Sequence, residues 1–164
     1  MNATPDPPAI DSRTAFVQAL HWGFHTAIAQ DARRLLCVDA NFAEWPWDDP
    51  ALLQDLIAWL RLPQRRLVLL ARSYDDLPRQ RPRFNGWRAD FGHAIEAWQA
   101  PQDLARDLPT LLTCDGAVSV HLVDALHWRG RTSSDVRGAR RWCEQIDVVL
   151  QRSERAFAVQ TLGL

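Results

Sequence analysis

Apolar positions along the chain change period three times, and each change marks an element. Phe16, Leu20, Phe24 and Ile28 recur every four residues, with Ala19, Gly23 and Ala27 beside them. That stripe predicts a first helix, capped by Asp11 or Ser12, whose small residues allow close approach to a sheet. Leu35 to Val38 is instead a continuous apolar run, the mark of a strand covered on both faces. Helical spacing returns at Leu52, Leu53, Leu56, Ile57 and Leu60, with Asp48 or Asp49 as cap, Pro50 in the first turn and Pro63 as the stop. Leu67 to Leu70 is a second buried strand. Strand, helix and strand from Arg34 to Arg72 therefore make one βαβ unit, for which a right-handed crossover in a parallel sheet is expected.

The later elements are shorter. Pro82 opens a helix in which Phe84, Trp87 and Phe91 share a face flanked by Arg83 and Arg88. His93 to Trp98 reads as a third strand, and Asp103 to Leu108 as a connecting segment or short helix. Leu111 to Cys114 and Val118 to Val123 flank Asp115-Gly116, a dipeptide that signals a type I′ hairpin turn. A last helix is expected from about Asp135 to Arg152, on the stripe Val136, Ala139, Cys143, Ile146 and Leu150. The fold class predicted is α/β: a single mixed, mostly parallel sheet with helices on both faces, a late β-hairpin and a C-terminal helix. Residues 1–12 read as a disordered Pro-rich tail and residues 13–164 as one α/β domain.

Composition narrows the chemistry. All 19 basic residues are Arg, so the chain has no lysine for a phosphate-binding P-loop, a Schiff base or a His-x-Lys motif. Three scattered cysteines without a CxxC signal neither a disulfide framework nor a zinc site, and suit a reducing cytoplasm. No apolar run approaches the ~20 residues that cross a bilayer, so no membrane partner is expected. The net charge of −1 argues against nucleic acid, although aromatics among arginines could stack bases.

Charge is nevertheless unevenly spread. Asp39 to Asp55 holds five acids and no base, whereas Arg61 to Arg88 holds eight arginines against Asp75 and Asp76. Such a cluster is either a solvated surface or a face that recognises anions, since Arg binds phosphate and carboxylate bidentately. The eight Trp serve either to close the core or to anchor a partner. The ligand-binding candidates are Arg72 after the second strand, Arg83 and Arg88 on the short helix, Trp45 in the acidic loop, and His127, Arg129 and Arg131 in the segment His127-Trp128-Arg129-Gly130-Arg131. Weaker candidates for acid or base are Asp39 at a strand end, His93, His121 and Asp115. If they serve catalysis, at least two must converge around a pocket. His21 and His25 have helical metal-ligand spacing without a third ligand or HExxH, so no metal and no cofactor are expected.

The order of elements resembles the phospholipase D-like domain, in which a helix-covered mixed sheet carries His-x-Lys-x4-Asp before an Asp-Gly hairpin. The resembling stretch runs from about residue 13 to 155 and ends its motif in Leu111-Leu112-Thr113-Cys114-Asp115-Gly116. With Asp115 as the motif aspartate, Leu108 stands at the histidine position and Thr110 at the lysine position. The following Gly-Ser-x-Asn element is also missing, with Leu122 and Val123 in its place. The resemblance thus implies a catalytically inactive binding or regulatory module, pairing as a homodimer and recognising a protein partner or an anionic small molecule. An enzyme with a rebuilt acid–base site is the alternative, and single-stranded nucleic-acid binding a third reading. The chain also looks like a bacterial family of unassigned activity, some of whose members are attached to N-acetyltransferase domains. Asn41-Phe42-Ala43-Glu44-Trp45-Pro46, Pro82-Arg83-Phe84, His127 to Arg131 and Leu162-Gly163-Leu164 carry that likeness, which implies a bacterial cytoplasmic protein.

Overall fold

A computed structural model describes residues 6–158. Helix α1 (Arg13–Ala29) starts where the Ser12 hydroxyl accepts the Ala15 N–H. Strand β1 (Arg34–Asp39) follows, then helix α2 (Pro50–Leu60), capped by the Asp49 carboxylate, and strand β2 (Arg66–Ala71). Two short helices, α3 (Leu77–Gln80) and α4 (Pro82–Arg88), lead through a 3-10 turn to strand β3 (Ile95–Gln99). Helix α5 (Gln102–Ala105), strands β4 (Thr110–Cys114), β5 (Ser119–Asp124) and β6 (Arg129–Ser133), helix α6 (Val136–Gln151) and the two-residue strand β7 (Glu154–Arg155) complete the order.

The strands form one sheet in the order β6-β5-β4-β1-β2-β3-β7. It is mixed, as expected, but mostly antiparallel rather than mostly parallel. Among the described residues the β1–β2 and β2–β3 pairings run parallel and the four others run antiparallel. Connection length explains the correction. A parallel pair needs a long crossover, such as α2 provides, whereas β4, β5 and β6 are joined by short turns that only antiparallel neighbours can use.

Strand alternation splits the core in two. Leu35, Cys37, Leu67, Leu69 and Leu112 face the layer with α1 and α2, while Leu36, Val38, Val68, Leu70 and Leu111 face α6. Gly23 lets α1 sit close: a methyl there would lie 2.8 Å from Leu112 Cδ2 and 2.9 Å from Val120 Cγ2. The Asp49 cap, the end of α2 before Pro63 and the α6 boundaries follow the sequence pattern.

Four local expectations are corrected. The Asp115-Gly116 connection is not a type I′ turn, since Asp115 is absent from the non-glycine residues with positive φ; its carboxylate instead accepts the Arg33 and Arg34 N–H groups. His93 precedes β3 rather than opening it. The segment from His127 to Arg131 is not irregular throughout: Arg129 onward is β6, where Gly130 is required because a methyl would sit 2.4 Å from the His121 carbonyl oxygen. Finally, residues 8–10 are not a loose tail. Ile10 is buried and bridges Gly130, and the Pro8 carbonyl accepts the Thr132 hydroxyl. Residues 1–5 and the Leu162-Gly163-Leu164 stretch lie outside the described residues. No helix among the described residues is long and apolar enough to cross a membrane.

Candidate functional site

The carboxyl ends of the parallel strands are where an open α/β sheet places ligands. Here that edge is built from the β1–α2 loop, the segment from Arg72 to Arg88, and residues 156–158. Aromatic rings fill the loop from below. Trp45 and Trp47 stack at 5.6 Å, Trp47 and Phe84 stack at 4.6 Å, and Phe42 meets both indoles edge-on. Trp45 is fully buried, which removes it from the ligand-binding candidates: its ring is core, held among Phe16, Phe24, Phe42 and Trp47. The amphipathic loop could not reveal this, since an indole between acids fits either role.

Asp39 is absorbed by the same loop. Its Oδ2 accepts the Phe42 N–H at 2.8 Å and its Oδ1 accepts the Thr110 hydroxyl at 2.6 Å. Phe42 sits at φ 61°, a left-handed conformation that costs a non-glycine residue roughly 1 kcal/mol. The carboxylate holds that strained turn, so both oxygens are engaged in structure rather than offered to a substrate. Thr110, the lysine position of the phospholipase D-like motif, is thereby a partner of Asp39, whereas Leu108 packs into the α6 layer.

The other acid–base candidates do not join it. Asp115 lies at the opposite end of β1, on the order of 16 Å away at ~3.3 Å per strand residue. His93 is exposed in the turn before β3. His121 lies on the α6 face, its ring 4.7 Å from Trp142, and burial together with the neighbouring Arg131 guanidinium lowers its pKa. The convergence that a rebuilt acid–base centre requires is therefore missing among these four groups.

The arginines divide in the same way. Arg129 and Arg131 are on β6, at one edge of the sheet, and His127 is tied to Asp124 by its backbone N–H and by its Nδ1 at 2.8 Å. The short helix with Arg83 and Arg88 leads into β3, five strand spacings away, on the order of 24 Å. No single Arg/Trp face brings these residues together. Arg72 and Arg83 are exposed, and Arg72 contributes its carbonyl as the acceptor for Gln99 Nε2.

Arg88 differs from all of them. Phe84 and Arg88 are four residues apart on α4, so both point to the buried side, and Arg88 is only 4% exposed. Its guanidinium carbon lies 3.6 Å over the Phe157 ring, which stacks on Tyr74 at 5.0 Å. Its Nε is buried without a hydrogen-bond partner, and no carboxylate among the described residues pairs with it. Burial lowers its pKa, and burial likewise raises that of Tyr74. Arg88 and Tyr74 line a cleft of about 660 Å³, together with Asp75, Asn85, Gln99 and Phe157. The Tyr74 hydroxyl donates to the Trp98 carbonyl at 2.8 Å.

A second groove, of about 510 Å³, opens on the α6 face. Its charges are matched: Arg34 Nη2 meets Asp147 Oδ1 at 2.7 Å, and Glu96 accepts from Arg66 and Arg155, each at 2.9 Å. Among the described residues no group of three or more His, Cys, Asp or Glu is arranged to hold a metal ion. Comparisons of the chain with models of known families, with curated proteins and with solved structures find no match.

Proposed function

We propose that the protein is a recognition module of phospholipase D-like descent, without the hydrolytic chemistry of that family, that binds an anionic group in the Arg88 cleft. One observation carries this reading: Arg88, a residue only 4% exposed and without a carboxylate partner among the described residues, stands in the wall of a cleft large enough for a small molecule. Burying a charge costs several kcal/mol unless it is paired. The cation–π contact with Phe157 offsets ~1–2 kcal/mol of that. An anion in the cleft supplies the remaining compensation through a bidentate, charge-assisted contact. Leu108 and Thr110 at the histidine and lysine positions support a binding rather than a hydrolytic role.

The test is thermal unfolding with benzoate, citrate, pyrophosphate and short oligonucleotides, each against an uncharged isostere. A bound anion raises the melting temperature by mass action. The rise is expected to vanish in Arg88→Met and to persist in Arg131→Ala, at the far edge of the sheet. An anion-induced rise of the same size in Arg88→Met refutes the site.

A further inference from the structure

Phe157 occupies the space that a ligand of Arg88 would enter. Its ring is flanked by two flat groups: the Arg88 guanidinium carbon, 3.6 Å from its centroid, and the Tyr74 ring, at 5.0 Å and 10° from parallel. Residues 156–158 form a strap that borders the 660 Å³ cleft and also a second cavity of about 250 Å³, walled by Gly92, Ile95 and Ala97. Arg88 lines both, so the strap and this one cation make the wall common to the two spaces. The strap is lightly held. Its anchor is the two-residue pairing of β7 with β3 and the Ala156 N–H, which donates to the Ala97 carbonyl at 3.0 Å. Among the described residues no hydrogen bond reaches Phe157 or Ala158. Phe157 also sits at φ 51°, a left-handed conformation disfavoured for any residue with a Cβ. The ring is held in place by its stacking, against the preference of its own backbone.

We infer, on the reading that Arg88 anchors the anion, that Phe157 is a built-in competitor for that site, displaced by a ligand that is itself an aromatic anion. With Phe157 seated, Arg88 is 4% exposed, so an anion engages it fully when the strap lifts. Lifting the strap joins the two cavities and vacates a slot beside Tyr74 that fits a ring. A small anion replaces the charge that Arg88 lacks but not the stacking that Phe157 gave up. A neutral ring replaces the stacking but not the charge. A ring bearing an acidic group supplies both, and its charge-assisted contact is what the phenyl side chain cannot offer. The apparent affinity is then scaled by the fraction of molecules with the strap lifted, and removing the competing ring tightens binding.

Isothermal titration with 3-phenylpropionate, propionate and 3-phenylpropionamide tests this, since the first carries ring and charge and the others one of the two. The wild-type chain is expected to bind 3-phenylpropionate at least about tenfold tighter than either. Phe157→Gly removes the ring and suits a positive φ, and should bind 3-phenylpropionate about tenfold tighter than the wild type. Arg88→Met should not bind it. A second measurement uses the wild type alone: amide hydrogen exchange at Ala156, whose N–H bonds to Ala97, should quicken at least about fivefold at saturating 3-phenylpropionate. Weaker or unchanged binding in Phe157→Gly, unchanged or slower exchange at Ala156, or propionate binding as tightly as 3-phenylpropionate overturns the inference. If it is overturned while Arg88→Met still abolishes binding, the anion site stands and Phe157 is part of its wall. If 3-phenylpropionate binds neither the wild type nor Phe157→Gly, the competitor and the anion site fall together.

Discussion

The two grooves are similar in volume and each is lined by arginine, yet they hold that charge in opposite ways. On the α6 face Arg34, Arg66 and Arg155 each face a carboxylate, and Glu96 serves two of them. In the other groove Arg88 is more deeply buried and faces an aromatic ring instead. A matched groove is a closed electrostatic circuit that gains little by adding a ligand. An unmatched one carries a standing desolvation cost that a ligand can relieve. Local imbalance, not the number of arginines, is what distinguishes a candidate site from a solvated surface.

The contrast between the two grooves has measurable consequences. The largest effect should come from the scaffold that buries Arg88. Trp47→Ala removes the ring stacked between Trp45 and Phe84 and should destabilise the fold by about 3–5 kcal/mol in urea unfolding. A loss under ~1 kcal/mol would mean that the aromatic block does not support the cleft. Next is the matched groove. Glu96→Gln removes the charge that Arg66 and Arg155 share and turns one of its two accepting oxygens into a donor, and should cost about 1–2 kcal/mol, less than a fully buried pair because both arginine heads reach water.

Arg88→Met should act in the opposite direction. It removes a buried cation that no carboxylate among the described residues pairs, while keeping most of the stem packing, and is expected to gain about 1 kcal/mol without ligand. A loss of that size instead would show that the contact with Phe157 outweighs the desolvation cost. The smallest effect should be the titration of His121. Its folded pKa lies below the unfolded value near 6.5, so its contribution is complete above that value and fades as pH falls through it toward the folded pKa. His121→Phe should flatten the stability–pH curve below neutrality, and an unchanged curve would exclude this residue as the source.

Legibility in the sequence followed the source of each signal. Leu35 to Val38 announces its strand because both faces are apolar, whatever the neighbours are. Arg129 to Ser133 has no such pattern: its strand character comes from pairing with β5, and from Gly130 clearing the His121 carbonyl. Asp39 looked like a strand-end acid because nothing local shows that Thr110, 71 positions away, will claim one oxygen. Arg88 was visible as one arginine among eight in its stretch. Its isolation was not, because Phe157 lies far along the chain and because the absence of a carboxylate partner among the described residues is a property of the assembled walls. Trp45 is hidden for the converse reason: beside its loop neighbours Phe42 and Trp47, rings from Phe16 and Phe24 on α1 enclose it.

The short strands at the two sheet edges bear on self-association. Along β6, Ile10 makes one bridge at Gly130, and Pro8 offers a carbonyl but no N–H. Along β3, β7 and Ala156 cover the backbone from Ala97 to Gln99. Each edge is thus blunted by a fragment of the same chain, the device by which β-proteins resist runaway templating into fibres. Two copies meeting edge to edge would first have to displace these fragments. Deleting the first ten residues should therefore raise the propensity to form thioflavin-positive aggregates, by exposing a free hydrogen-bonding ladder along β6.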